Sequence, residues 1–129
     1  MQWIDGTPPV LVDGAHNPDG MRAMTASLDD IRGPGRLAVV FAAMRDKDIA
    51  SMADMLRSAR PDAVFTTAPS VSRAADPAEL AALFGGSARA VAGSDAALEE
   101  ARSAAGRDGL VVACGSLFLA GEVLSLLGA

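Results

Sequence analysis

Short apolar runs alternate with helix-like segments five times along this chain of 129 residues. The runs cover residues 10–13, 36–43, 63–67, 88–92 and 110–114, and the segments of helical spacing cover residues 18–31, 49–56, 77–84, 95–105 and 117–127. Strands joined through helices need crossover connections, which place helices over both faces of a sheet. The pattern therefore predicts an α/β fold, a three-layer domain with a mainly parallel sheet over residues 10–129, preceded by an extended lead-in or linker over residues 1–9.

The composition narrows the class of protein. A formal net charge of −5 argues against a broad nucleic-acid surface, because such surfaces need clustered Lys and Arg. The single cysteine, Cys114, excludes an internal disulfide and is typical of a reducing compartment. The chain has no apolar run of the roughly 18 residues that a membrane span requires, and its start lacks the features of a signal peptide. We therefore expect a cytoplasmic protein that binds neither nucleic acid nor membrane.

Residues 10–20 combine a strand end with a helix start. The apolar run ends in Asp13, Gly14-Ala15 permits a tight turn, and Asn17-Pro18 is typical of a helix N-terminus. The chain's only histidine, His16, lies in this turn. Exposed N–H groups at a helix N-terminus attract phosphate or carboxylate, so a ligand site is possible here, although the same residues also suit an ordinary capped turn.

Other polar residues follow the later strands and are expected at the same edge of the sheet. In a parallel α/β sheet, ligands bind beyond the carboxyl ends of the strands. Lys47 follows the second run, and Gly115-Ser116 follows the last run at a predicted helix start. Together they could satisfy a small carboxylate or phosphate. Lys47 is equally consistent with a solvated loop charge, and Ser116 with a simple helix cap.

Several familiar sites are excluded or poorly supported. The chain has no G-x-x-x-x-G-K-[ST] sequence, so it lacks a P-loop, and one histidine with one cysteine cannot form the usual zinc cage. The residue types of a hydrolytic triad are present in Ser116, His16 and Asp13. However, Ser116 lies in C-G-S-L-F rather than in a G-x-S-x-G nucleophile elbow, which disfavours a hydrolase.

Three segments carry a resemblance to a known family. They are L-V-D-G-A-H-N-P at residues 11–18, F-A-A-M-R-D-K-D at residues 41–48 and A-C-G-S-L-F-L-A-G-E-V at residues 113–123, with an Arg-Ala pair at Arg73-Ala74. In order and spacing they resemble the C-terminal domain of folylpolyglutamate synthase/dihydrofolate synthase, of the Mur ligase superfamily. The resemblance begins near Pro9, spans nearly the whole remaining chain and implies a Rossmann-like domain.

The resemblance also implies a reaction and a division of roles. Such ligases use ATP and Mg to phosphorylate a pterin-linked carboxylate, and L-glutamate then attacks the acyl phosphate to form an amide. The resemblance implies that Asp13, His16 and Asn17 contact the nucleotide and that Lys47 and Ser116 hold glutamate, with Asp46 and Arg73 as weaker candidates.

In this family a larger N-terminal ATPase domain carries the P-loop, the magnesium ligands and most of the cleft for the pterin or folate substrate. The chain is therefore expected to be a domain or truncated product that is inactive without that partner. Two alternatives are a stand-alone module that binds a small anion or nucleotide, and a docking domain with no chemistry of its own.

Overall fold

The computed structural model describes residues 1–129 and contains one six-stranded sheet with five helices. The strands are β1 (Gln2–Ile4), β2 (Val10–Val12), β3 (Leu37–Phe41), β4 (Ala63–Thr66), β5 (Ala88–Ala90) and β6 (Leu110–Cys114). The helices are α1 (Pro18–Ile31), α2 (Ile49–Ser58), α3 (Pro77–Ala82), α4 (Ser94–Ala105) and α5 (Leu117–Leu126). The strand order is β1-β2-β6-β3-β4-β5, and every neighbouring pair except β1–β2 is parallel.

Each face of the sheet has its own apolar core. Helices α1, α2 and α3 pack on one face, where Met21, Met52 and Leu80 are fully buried. Helices α4 and α5 pack on the other face through Ala97, Leu119 and their neighbours. Because both faces are covered, every residue of β3 and β6 is buried, which explains why these strands are continuous apolar runs in the sequence. The predicted three-layer α/β fold is confirmed.

The first residues of the chain belong to the sheet. Strand β1 runs antiparallel to β2, with Trp3 opposite Leu11, and forms one edge of the sheet. The sequence predicts only an extended lead-in for these residues, because a strand of three residues is too short to show a period. The lead-in therefore contributes the antiparallel edge strand, on which the half-exposed Trp3 lies.

The predicted elements are all present, with ends that differ by at most two residues, as is usual for helix and strand boundaries. The sequence predicts Ser94 as the N-cap of the helix over residues 95–105, and this cap is wrong. Helix α4 begins at Ser94, with Gly93 rather than Ser94 at the N-cap position, and no side chain caps it. The Ser94 hydroxyl instead donates to the Glu122 carboxylate on the neighbouring helix α5.

None of the helices is both long enough and apolar enough to span a membrane.

Candidate functional site

The strand order brings four loops together at one edge of the sheet. Strand β6 lies between β2 and β3, and β4 follows β3, so the carboxyl ends of these four parallel strands are adjacent. The backbone ladder continues past the strands, since Asp13 N donates to Ala113 O at 2.9 Å and Thr67 N donates to Phe41 O at 2.9 Å. The loops that carry the predicted site residues therefore start from adjacent, hydrogen-bonded positions.

A cavity of about 150 Å³ lies at this edge. It is lined by His16, Met44, Lys47, Arg73, Ser116, Leu117 and Phe118. Four residues singled out from the sequence thus meet here, one from the loop after each of the four strands. The cavity contains two cationic side chains, Lys47 and Arg73, in a chain whose formal net charge is −5. Its chemistry suits a small anion.

The turn after β2 fixes the histidine. The Asp13 carboxylate is buried and its Oδ1 accepts a hydrogen bond from Ala15 N at 2.7 Å, which closes the turn. His16 Nδ1 lies 2.9 Å from Gly14 O. A carbonyl oxygen can only accept, so in the neutral ring Nδ1 carries the proton and Nε2 is left as an acceptor.

The turn after β6 fixes the serine. Gly115 has φ +104°, and a Cβ there would clash with Ala42 O, so only glycine suits this close approach of two loops. Ser116 follows as the N-cap of α5, and its Oγ accepts from Phe118 N at 3.1 Å and Leu119 N at 3.3 Å. In both hydrogen bonds the Ser116 oxygen is the acceptor. Its hydroxyl proton therefore remains able to donate to a ligand in the cavity.

The loops after β3 and β4 are joined to each other. Met44 and Ala74 form an isolated antiparallel bridge, and Arg45 N donates to Arg73 O at 2.8 Å. The Arg73 guanidinium carbon lies 5.7 Å from the ring centroid of Phe118, a cation–π distance. Lys47 and Arg73 therefore come from two loops that share backbone hydrogen bonds.

Three of the predicted residues do not line the cavity. Asp13 is buried beneath the turn, where its side chain holds the loop through Ala15 N and does not line the cavity. Asn17 is exposed and caps α1, with its Oδ1 accepting from Gly20 N at 2.8 Å. Asp46 is exposed to solvent outside the cavity.

The sequence does not single out Leu117 and Phe118, which form an apolar wall of the cavity. Leu117 and Phe118 are exposed by 61% and 43%, whereas Leu119 is fully buried. The signal was the run Leu117-Phe118-Leu119 directly after the Ser116 cap, because three consecutive residues of a helix cannot all face one core. Only Leu119 packs in the core, whereas Leu117 and Phe118 line the cavity at the edge of the sheet.

Cys114 lies beneath this edge as a buried free thiol. Burial raises the pKa of the Cys114 thiol far above its ordinary value, and the nearby Asp13 carboxylate raises it further. The residue therefore stays protonated and acts as a small apolar side chain.

No group of three or more His, Cys, Asp or Glu side chains is arranged to hold a metal ion.

Comparison with known proteins identifies the family. The family model "Mur ligase, glutamate ligase domain" matches residues 1–117. The chain belongs to this family. It is 37% identical over 119 residues to a probable bifunctional folylpolyglutamate synthase/dihydropteroate synthase of Halobacterium salinarum, covering 89% of this chain and 14% of that relative. The resemblance seen in the sequence is confirmed.

Solved structures of this glutamate ligase family agree in fold. Mycobacterium tuberculosis folylpolyglutamate synthase, complexed with ADP and AMPPCP, superposes with a TM-score of 0.90 at 28% identity, covering 100% of this chain and 32% of that one. A bifunctional folylpolyglutamate synthase/dihydrofolate synthase with Mn, AMPPNP and L-glutamate bound gives a TM-score of 0.90 at 26% identity, covering 99% and 31%. The chain thus spans less than a third of the length of these relatives.

Proposed function

We propose that this chain is the C-terminal domain of an ATP-dependent folate ligase that adds L-glutamate to dihydropteroate or folate through an acyl phosphate. The observation that carries the proposal is the convergence of Lys47, Arg73, Ser116 and His16 on one cavity, in a chain of the glutamate ligase family. A relative with L-glutamate bound supports the choice of ligand.

The chemistry of the cavity suits L-glutamate, which has two carboxylates and one amino group. Lys47 and Arg73 supply two cations for the carboxylates, and the Ser116 hydroxyl supplies a neutral donor. These three residues form the proposed glutamate site. They hold the amino acid so that its amino group can attack, while the apolar Leu117 and Phe118 reduce the access of water.

We assign the nucleotide side of the site to the turn after β2. His16 Nε2 is an unused acceptor, and the exposed Asn17 lies next to it at the N-terminus of α1. Nε2 can accept a hydrogen bond from a hydroxyl or amino group of ATP, and the N-terminus of α1 can attract its phosphate charge. Asp13 contributes by holding the turn. ATP supplies the phosphoryl group that activates the carboxylate. In this proposal, Mg and most of the ATP site belong to an N-terminal ATPase domain, which is the partner of this chain.

The proposal is tested by supplying the N-terminal ATPase domain of a folylpolyglutamate synthase in trans and measuring ADP release with dihydropteroate, ATP, Mg and L-glutamate. We expect turnover in this reconstituted ligase and none with the chain alone. Turnover by the chain alone would contradict the dependence on a partner domain. Activity that persists without L-glutamate would contradict the assigned acceptor.

A stand-alone binding module is the second candidate, because both cations and the serine of the cavity belong to this one chain. Calorimetric titration of the chain alone with ATP and with L-glutamate separates the two functions. Tight binding without the partner domain favours the module, and weak binding that strengthens when the partner is added favours the ligase domain.

A further inference from the structure

Glu122 joins two segments that are distant in the sequence. Its Oε2 accepts a hydrogen bond from Ser70 N at 2.7 Å, and its Oε1 accepts one from the Ser94 hydroxyl at 2.7 Å. Ser70 lies in the loop after β4, and Ser94 is the first residue of α4. No basic side chain forms an ion pair with Glu122. Each of its carboxylate oxygens therefore accepts from one neutral donor.

The bond to Ser70 holds a segment that has no other long-range hydrogen bond. Within residues 68–72, the other backbone hydrogen bonds are local, from Val71 N to Pro69 O at 2.7 Å and from Ala74 N to Val71 O at 3.2 Å. The segment leads directly to Arg73, whose carbonyl is held by Arg45 N. Charge-assisted hydrogen bonds are about twice as strong as neutral ones, and Glu122 makes the one long-range hydrogen bond to the backbone of the first half of this loop.

Helix α5 contacts the loop after β4 through two side chains, Phe118 and Glu122. Phe118 and Glu122 are four residues apart and so lie on the same face of the helix. Phe118 underlies the Arg73 guanidinium, and Glu122 holds the backbone three residues earlier. Ser116, at the start of the same helix, lines the cavity. Helix α5 therefore contacts both this loop and the cavity, in addition to the backbone bonds that join the loop to the one after β3.

We propose that Glu122 is a positioning residue that holds the loop of residues 68–72 against α5 and thereby fixes Arg73 in the wall of the cavity. Glu122 itself does not line the cavity and touches no proposed ligand. Its effect on L-glutamate rests on the proposed function, whereas its effect on the loop does not.

The first test measures amide hydrogen exchange and the Arg73 Nε–H signal by NMR in the intact chain. We expect Glu122→Ala to speed exchange at Ser70 at least tenfold and to broaden or shift the Arg73 signal. Glu122→Gln should restore both, because its carbonyl can accept from Ser70 N while the Ser94 hydroxyl turns to accept from its amide. Glu99→Ala, which removes an exposed carboxylate on α4, is the control.

The second test uses the reconstituted ligase. We expect Glu122→Ala to raise KM for L-glutamate about fivefold to tenfold with kcat within twofold, and to have no further effect when Arg73→Ala is already present. Unchanged exchange at Ser70, or an equal rise in KM in the presence of Arg73→Ala, would overturn the positioning role. If Lys47→Met leaves KM unchanged while Ser70 and Arg73 still respond to Glu122→Ala, the assigned ligand is wrong and the positioning role is supported.

Discussion

His16 Nδ1 donates a hydrogen bond to Gly14 O across 2.9 Å, and this contact fixes which ring nitrogen faces the cavity. The bond closes within the turn that Asp13 already stabilises through Ala15 N. His16 therefore presents an acceptor, Nε2, beside the two cations Lys47 and Arg73.

The first prediction concerns this histidine. At pH 8, ¹⁵N NMR of the imidazole should show the proton on Nδ1, because Gly14 O can only accept. His16→Ala should lower kcat/KM of the reconstituted ligase by about 3- to 10-fold, the equivalent of one hydrogen bond from a neutral donor of the nucleotide. A neutral ring protonated on Nε2, or full activity of His16→Ala, would contradict the nucleotide role.

The second prediction concerns the charge of Lys47. Lys47→Met preserves the length of the side chain but removes a cation from the cavity, so KM for L-glutamate should rise about tenfold or more. Arg45→Gln is the matched control, because it removes one positive charge from an exposed residue of the same loop outside the cavity. Equal effects of the two substitutions would indicate a general charge effect rather than a specific contact.

The third prediction compares two glycines near and within α5. Gly115→Ala should lower the free energy of unfolding by about 1–3 kcal/mol or more. The φ angle of +104° is strained for alanine, and the new Cβ would also clash with Ala42 O. Gly121→Ala should instead raise it by about 0.5–1 kcal/mol, since it lies inside the helix with open space around the added Cβ. Urea unfolding of both variants gives the two values, and a neutral Gly115→Ala would show that this turn tolerates a side chain.

The fourth prediction concerns Cys114. Because burial and Asp13 raise the pKa of its thiol, the folded chain should not react with a thiol reagent at pH 8, and reaction should require unfolding. Rapid labelling of the native chain would contradict the buried, protonated state.

The same pKa shift makes stability depend on pH. The unfolded chain releases the thiol proton above about pH 8.5, whereas the folded chain keeps it to higher pH. The free energy of unfolding should therefore fall by up to about 1.4 kcal/mol per pH unit above this point, and this contribution should be missing in Cys114→Ala. If the free energies of unfolding of the original chain and of Cys114→Ala changed with pH in parallel between about pH 8 and 10, this contribution of Cys114 would be contradicted.

The sequence by itself determined the layers of this protein and the positions of its loops. Continuous apolar runs specify strands covered on both faces, and Asn17 and Asp76 mark helix starts through local hydrogen bonds to Gly20 N and Ala78 N. Such signals are readable because period and capping depend on residues within a few positions of each other. The shared carboxyl edge then follows because strands joined by crossover helices run parallel.

Only the tertiary structure decided which loops became neighbours. The insertion of β6 between β2 and β3 places Ser116 between the loops of His16 and Lys47, and no local pattern encodes that order. The same holds for β1 at the sheet edge and for Ser94, whose hydroxyl bonds to Glu122 instead of capping α4. These contacts join residues that are distant in the chain, so they depend on the packing of whole elements rather than on the residues beside them.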